Sequence, residues 1–388
     1  MTESGGARRA RNAVAVAFVL NGFAFACLVT RFPDLRRTLV LSNGELGLVL
    51  LGLSAGSVLA LPASGRLIER WSAAAVVRGG AVLVAVGLLS AAVGTVALGS
   101  VPVVTLGLVA YGVGTGLWDV SMNVEGAAVE HGLGRAIMPR FHAGWSMGSI
   151  AGAALGVPVS ALGLAMPLHL GLVGLAGLVA VGVATRDFLP SAPPPEPGTR
   201  GRSAWREPRT LAVGLMVLAF ALTEGTANDW LALALIDGYD TPQWVGVAGY
   251  ALFVTAMTTG RLAGTHLLDR FGRVPVLRAT GGAALVGVLL VVLGGHPVLA
   301  AVGIVVWGLG ASLGFPVGMS AAADDPARSA GRVTVVSTIG YAAFLAGPPL
   351  LGFVGDQVGT LSALLVVAVL LVPSLFGVGV AREPARRC

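Results

Sequence analysis

The sequence predicts an all-α membrane protein of twelve transmembrane helices in two pseudo-symmetric six-helix bundles, and three observations carry that prediction. The first is apolarity. Of the 388 residues, 55% are hydrophobic and 11% charged, and the mean hydropathy of +0.84 is more than a water-soluble domain can solvate. The second is length: a span of about 20 apolar residues plus a short loop takes roughly 30 residues, which gives about twelve crossings. The third is internal duplication. Tyr111 to Trp118 (YGVGTGLW) returns 196 residues later as Trp307 to Gly314 (WGLGASLG), and the same offset sets Gly144 and Trp145 over Gly340 and Tyr341, and Gly156 over Gly352. Fourth and fifth spans thus match tenth and eleventh, as parallel six-helix repeats require.

Taken in order, apolar runs place spans at 12–33, 43–66, 73–96, 101–129, 138–162 and 165–185, then at 209–236, 243–267, 274–294, 297–322, 331–355 and 359–381. The predicted organisation is an amino-terminal bundle over 1–185, a cytoplasmic linker over 186–208 and a carboxy-terminal bundle over 209–388. The linker is proline-rich and basic, and reads as a spacer beside anionic headgroups. The first run, preceded by Arg8, Arg9 and Arg11, has the look of a signal peptide, but its length and the spans after it favour an uncleaved first helix. The 57 glycines let helix backbones approach closely, as at Gly148, Gly152 and Gly156. Pro348 and Pro349 are expected to kink the eleventh span.

The net charge of +6 does not indicate nucleic acid, because the basic residues sit in short segments between apolar runs. With the amino terminus cytoplasmic, 21 of the 25, all of them Arg, fall on the cytoplasmic side, Arg135, Arg386 and Arg387 among them, so both termini are expected there. The exceptions are Arg31, Arg36 and Arg37 in the first external loop and Arg261 inside the eighth span. Arg31 is a candidate for the external mouth and Arg261 for the cavity, against snorkelling or lipid-phosphate roles. Cys27 and Cys388 lie too far apart in this topology to pair. No metalloprotease, nucleophile-elbow, phosphate-loop or dinucleotide motif stands in a plausible context, so no enzyme, metal or cofactor is expected.

The polar residues inside the spans are the candidates for function. Asp119 and Asn123 stand four residues apart and share a helix face, flanked by Trp118. A charge near the bilayer centre costs at least ~2.5 kcal/mol, so such residues usually face a polar path. Asp119 is read as proton carrier or helix-holding acid, and Asn123 as solute ligand or helix glue. Trp118 is read as a stacking surface or a packing residue. Glu125 lies on another face, where structural pairing is expected. The seventh span adds Glu224 and, one turn on, Asn228, with Asp229 and Trp230 beyond. Glu224 is read as a proton or cation site or as a structural ion pair. His142 is read as proton shuttle or helix contact. In the repeat, Asp119 and Asn123 match Phe315 and Met319, so the scaffold occurs twice and this acid once.

Two further segments match at an offset of 200: Gly65 to Ser72 (GRLIERWS) and Thr265 to Gly272 (THLLDRFG), each bringing an acid and an Arg to a tight cytoplasmic loop. They resemble the loop signature of the major facilitator superfamily, G-x-x-x-D-R-x-G-R, across essentially the whole chain. Departures are Glu69, Ser72 and Thr265, and Ala73 and Ala74 where basic residues usually follow. The run Gly114 to Asn123 and the segment Phe141 to Gly148 are similar to the fourth and fifth helices of fucose:proton-symporter-like members. Asp119 to Glu125 and Arg31 to Asp34 look still closer to bacterial inner-membrane members of unassigned substrate. The symporters' first-helix acid has no counterpart, so sugar specificity is not carried over.

The resemblance implies a monomeric secondary transporter of the bacterial cytoplasmic membrane whose two bundles rock about a central site. Its partners would be a small polar solute, protons and the lipid bilayer. Gly65, Glu69, Arg70, Asp269, Arg270 and Arg273 would form the gating loops. A proton-antiport exporter of drugs or metabolites, and a solute sensor without net flux, stand as alternatives.

Overall fold

The computed structural model describes residues 5–133, 137–189, 204–325 and 328–382. Arg135, most of the linker, Arg386, Arg387 and Cys388 lie outside the described residues. The chain divides into two compact units, Met1–Glu196 and Pro197–Cys388, and among the described residues the regular structure is entirely helical.

The first unit holds α1 (Gly5–Val29), α2 (Phe32–Leu39), α3 (Asn43–Trp71), α4 (Ala73–Val96), α5 (Val101–Leu133), α6 (Met138–Ala161) and α7 (Met166–Ala184). The second holds α8 (Pro208–Tyr239), α9 (Gln243–Phe271), α10 (Arg273–Leu293), α11 (Pro297–Ala311), α12 (Gly314–Ala322), α13 (Ser329–Val358), α14 (Thr360–Ala363) and α15 (Leu365–Gly377). Ten segments among the described residues are long and apolar enough to cross a membrane. The two further long helices, α6 and α9, occupy the expected fifth and eighth spans with 24 and 29 residues. Their glycine, serine and threonine content makes them less apolar and better suited to close packing.

Packing inside each unit follows one scheme. In the first, α5 packs on α3 and α4, α1 on α6, and α4 on α7; in the second, α11 packs on α9 and α10, α8 on α13, and α10 on α15. Glycine sets the approach at equivalent places. A Cβ on Gly112 would collide with the Leu53 carbonyl oxygen of α3, and one on Gly308 would stand 2.6 Å from the Phe253 oxygen of α9.

Two expected spans differ from their sequence reading. The tenth, taken as one run over 297–322, breaks into α11 and α12 around Ser312 and Leu313, whereas its repeat partner α5 runs unbroken for 33 residues. Ser312 turns its Oγ onto the Leu309 carbonyl at 2.7 Å, and Arg261 donates through Nε to the Ser312 oxygen at 3.4 Å. A backbone carbonyl released from the helix thereby keeps a partner, as irregular backbone at membrane depth requires. The twelfth divides at Leu364 into α14 and α15. The eleventh, α13, continues as one helix through Pro348 and Pro349.

Candidate functional site

Asp119 is half-buried on α5. Asn123 donates through Nδ2 to its carbonyl at 2.8 Å and to its Oδ1 at 3.4 Å. No cation lies within ion-pair distance of Asp119 among the described residues. The spacing of four residues produces this geometry directly, since one helical turn brings the amide back over the acid. The pair can bind a proton or a polar solute group, with the amide fixing the carboxylate's orientation.

The structure does not place Trp118 with them. It is 1% exposed and packs its Cβ side against Gly80 of α4. Its ring borders an apolar cavity with Leu20 and Phe23 of α1 and Val173 and Gly177 of α7. Adjacent positions on a helix point about 100° apart, so the flanking residue faces the core of its own unit. Its Nε1 has no hydrogen-bond partner there.

Glu125, 5% exposed, accepts from the Leu189 backbone amide at 2.5 Å. It thus ties the end of the first unit's chain to α5. His142 is exposed, with its ring edge-on to Phe18 at 5.2 Å.

In the second unit Glu224 is engaged: Arg261 donates through Nη2 to its Oε2 at 2.8 Å. Because Arg261 also holds the Ser312 carbonyl, one guanidinium links α8, α9 and the break between α11 and α12. Asn228, one turn beyond Glu224, is 9% exposed and has no hydrogen bond to the described residues. The next residue, Asp229, is half-buried and likewise without an ion pair or hydrogen bond among them.

Arg31 is 3% exposed, so it lies inside the first unit. Its Nη1 donates to Asp34 Oδ2 at 2.8 Å, its Nη2 to the Leu164 carbonyl at 2.7 Å and its Nε to His169 Nδ1 at 3.1 Å. This fastens the α1–α2 corner to the start of α7. A lone histidine near a helix start carries no sequence signal of an acceptor function such as that of His169 here.

The two loops differ. Gly65, Glu69 and Arg70 are exposed, and Glu69 and Arg70 have no partner among the described residues. Asp269 and Arg270 are exposed too, with the Arg270 guanidinium 5.2 Å from the centre of the Phe271 ring. Arg273 instead donates to Asp324 at 2.7 Å and to Ser320 Oγ at 2.9 Å, and Arg209 reaches the other Asp324 oxygen at 2.8 Å. Asp324 was missed because it has no partner in the repeat. The available signal was its place as the first acid after the tenth span, among several arginines.

Comparison with known proteins accounts for both the helical scheme and the duplication. The family profile described as Major Facilitator Superfamily matches residues 14–342 and 249–387. An uncharacterized transporter of Sinorhizobium fredii is 32% identical over 352 residues, covering 88% of this chain and 90% of its own. An uncharacterized MFS-type transporter of Yersinia pestis is 32% identical over 364 residues, covering 89% of each. Among solved structures, a variant of the nucleoside transporter NupG superposes with a TM-score of 0.77 at 17% identity, over 97% of this chain and all 100% of that one. A bacterial homologue of the human lysosomal transporter Spinster gives 0.72 at 13% identity, over 99% and 100%. With its repeat, its paired loops and its matched profile, the chain belongs to the Major Facilitator Superfamily of membrane transporters.

Proposed function

We propose that the chain is a proton-coupled secondary transporter that moves a small polar solute by alternating access in a bacterial cytoplasmic membrane, as a monomer with both termini cytoplasmic. The observation that carries this reading is Asp119, an acid inside a span that no cation neutralises among the described residues. A carboxylate left alone at such depth is costly, and binding a proton removes the charge before the carrier turns. One proton moving down 100 mV is worth ~2.3 kcal/mol, about 50-fold in solute gradient. Glu125 and Glu224 are spent on a backbone amide and on Arg261, which leaves Asp119 as the coupling group within the first unit.

The arginines engaged within the spans also bear on the solute. Arg31 is matched by Asp34 and Arg261 by Glu224, so neither offers an uncompensated charge to an anion. A neutral polar solute or a cation fits better, and the likeness to a solved nucleoside transporter makes neutral polyhydroxylated solutes the first class to screen.

The test is flux in proteoliposomes under an imposed pH gradient, with nucleosides, sugars and amphipathic cations as probes. Solute-driven proton entry supports symport, proton exit supports the exporter, and binding without either supports a sensor. Asp119→Asn is expected to abolish proton-driven accumulation while counterflow survives. Full accumulation by that variant rejects Asp119 as the coupling group.

A further inference from the structure

The segment Thr226 to Trp230 of α8 (TANDW) concentrates polar groups for which the unit supplies no partner. Asp229 is half-buried and has neither ion pair nor hydrogen bond among the described residues. Thr226, three residues earlier and therefore on a neighbouring part of the same face, is 1% exposed, and its Oγ1 is unpartnered. Trp230 Nε1, also in a residue 1% exposed, is unpartnered too. Buried polar atoms without partners are few in native proteins, and each calls for a physical reason. Here two of them fall within one turn of an unpaired acid.

The helix wheel shows why the unit leaves Asp229 open. Leu211, Leu218 and Ile236 share its stripe of α8 and are, like it, only half-buried, with Leu222 the buried member of the stripe, while the rest of the helix from Val213 to Leu235 is mostly covered. Glu224 points elsewhere on the wheel, into Arg261. The sequence drew attention to the acid that is neutralised, not to the one that is free.

The surrounding elements offer no charge to neutralise Asp229. Of the helices packed on α8, α11, α12, α14 and α15 carry no titratable side chain. On α9, Tyr250 is a neutral phenol and Arg261 is held by Glu224, and His266, Asp269 and Arg270 stand at the end of that helix. On α13, Arg332 is bound to Glu207, Tyr341 packs on Phe315 and Phe344, and Asp356 adds an anion, not a cation. On α8 itself, Arg209 at the head of the helix is bound to Asp324, Tyr239 donates to the Val291 carbonyl and Asp237 accepts from Thr360 at 2.6 Å, while the exposed Arg206, in the turn Ala204–Arg206 packed on α8, stands more than six turns before Asp229.

We propose that Asp229 is a second proton-accepting site of the carrier, and that Glu224 is a structural acid. This rests on the reading of a proton-coupled transporter. In the step, a hydronium ion gives its proton to a carboxylate oxygen of Asp229. One O–H bond forms, one breaks, water leaves, and release on the other side reverses the exchange.

The test uses the full-length protein in liposomes. The apolar carbodiimide dicyclohexylcarbodiimide takes the proton of a carboxyl in apolar surroundings and is attacked by its carboxylate oxygen, and the resulting adducts are located by peptide mass spectrometry. Labelling of Asp119 and Asp229, declining as pH rises, with Glu224 unlabelled, is the expected result. Labelling of Asp119 without Asp229, or of Glu224 in place of Asp229, overturns the proposal and leaves the proton-coupled reading standing. Labelling of neither aspartate overturns both. Proton uptake after an acid step provides the second measurement. Asp229→Asn is expected to take up one proton fewer per chain and Asp229→Glu to restore it, whereas unchanged uptake by Asp229→Asn overturns the proposal.

Discussion

The two halves of the chain share their packing and differ in how they hold charge. In the second half, Arg273 at the head of α10 and Arg209 at the head of α8 converge on Asp324, whose side chain is 6% exposed. Arg209 also donates to the Val380 and Arg382 carbonyls at 3.1 and 3.0 Å. The first half has Ala73 where the other has Arg273, and Ala128 where the other has Asp324. Its tight loop rests on Ser72, whose hydroxyl accepts from the Ala75 amide at 3.3 Å. Duplication therefore preserved backbone contacts, which every copy needs in order to pack, and left side-chain electrostatics free to diverge.

The largest effect expected concerns what is shared. Gly112→Ala would drive a methyl into the Leu53 carbonyl, and Gly308→Ala would place one 2.6 Å from the Phe253 oxygen. Neither obstacle is a flexible side-chain end, so a helix must move, at about 3 kcal/mol or more. Thermal unfolding of the purified chain should show comparable losses for both variants. A large loss for one and none for the other would break the equivalence of the halves.

The next effect concerns what differs. Asp324→Ala strands Arg273 and Arg209. Removing one partner of a fully buried pair costs about 3–5 kcal/mol, and the exposure of Arg209 reduces this to about 2. In the first half, Ala128→Asp together with Ala73→Arg creates the same residue types without Arg209's counterpart, and should gain less than about 1 kcal/mol. A gain that matches the loss at Asp324 would mean that Arg273 and Asp324 alone make the network.

Acid supplies a third contrast. Ahead of α8, Glu207 accepts from Arg332 at 2.6 Å and Arg328 at 3.0 Å. Burial pushes its carboxyl up, but the hydrogen bonds from Arg332 and Thr210 and the charges of Arg332 and Arg328 outweigh it and hold the group below the usual range. A depressed carboxylate contributes stability above its unfolded pKa of about 4.3, and loses it as pH falls through the lower folded value. Glu207→Gln should therefore lower the melting temperature near neutrality and flatten its fall below about pH 4.3. An acid limb identical to that of the unsubstituted chain would remove Glu207 from the account. In the first half Glu130 accepts instead from the Ile137 and Met138 backbone amides at 2.6 and 2.7 Å.

These contrasts show where the sequence was readable. Gly112 and Gly308 recur at one offset because helix approach is a local, periodic demand, and Asp119 with Asn123 was visible because a turn of helix fixes their contact. The Arg31–His169 bond spans 138 positions and the Arg209–Asp324 pair 115, and no spacing rule links such residues. The break at Ser312 was hidden for a different reason. Its flanking residues are as apolar as the span around them, and Arg261, which partners the freed Ser312 carbonyl, sits on another helix. Choosing between Glu224 and Asp229 also needed the fold, since both are acids on one apolar helix and only the neighbour's arginine separates them.

The smallest effect tests the backbone beneath the divergent loops. At the turn between the second and third spans Ser72 has φ 100°, and at the equivalent turn Gly272 has φ 75°. A side chain at such φ costs roughly 1 kcal/mol that glycine avoids. Ser72 regains part of this through its cap on Ala75, and replacing a serine cap by glycine loses only a few tenths of a kcal/mol. Ser72→Gly should therefore stabilise the first half by about 0.5 kcal/mol, whereas Gly272→Ser in the second should destabilise, because the position equivalent to Ala75, three residues along, is Pro275, which has no amide to donate to the new hydroxyl. Opposite signs in thermal unfolding would show one turn geometry filled in two ways. A loss on Ser72→Gly would show that the hydroxyl cap outweighs the strain, and that the first half holds its loop by a hydrogen bond where the second holds it by charge.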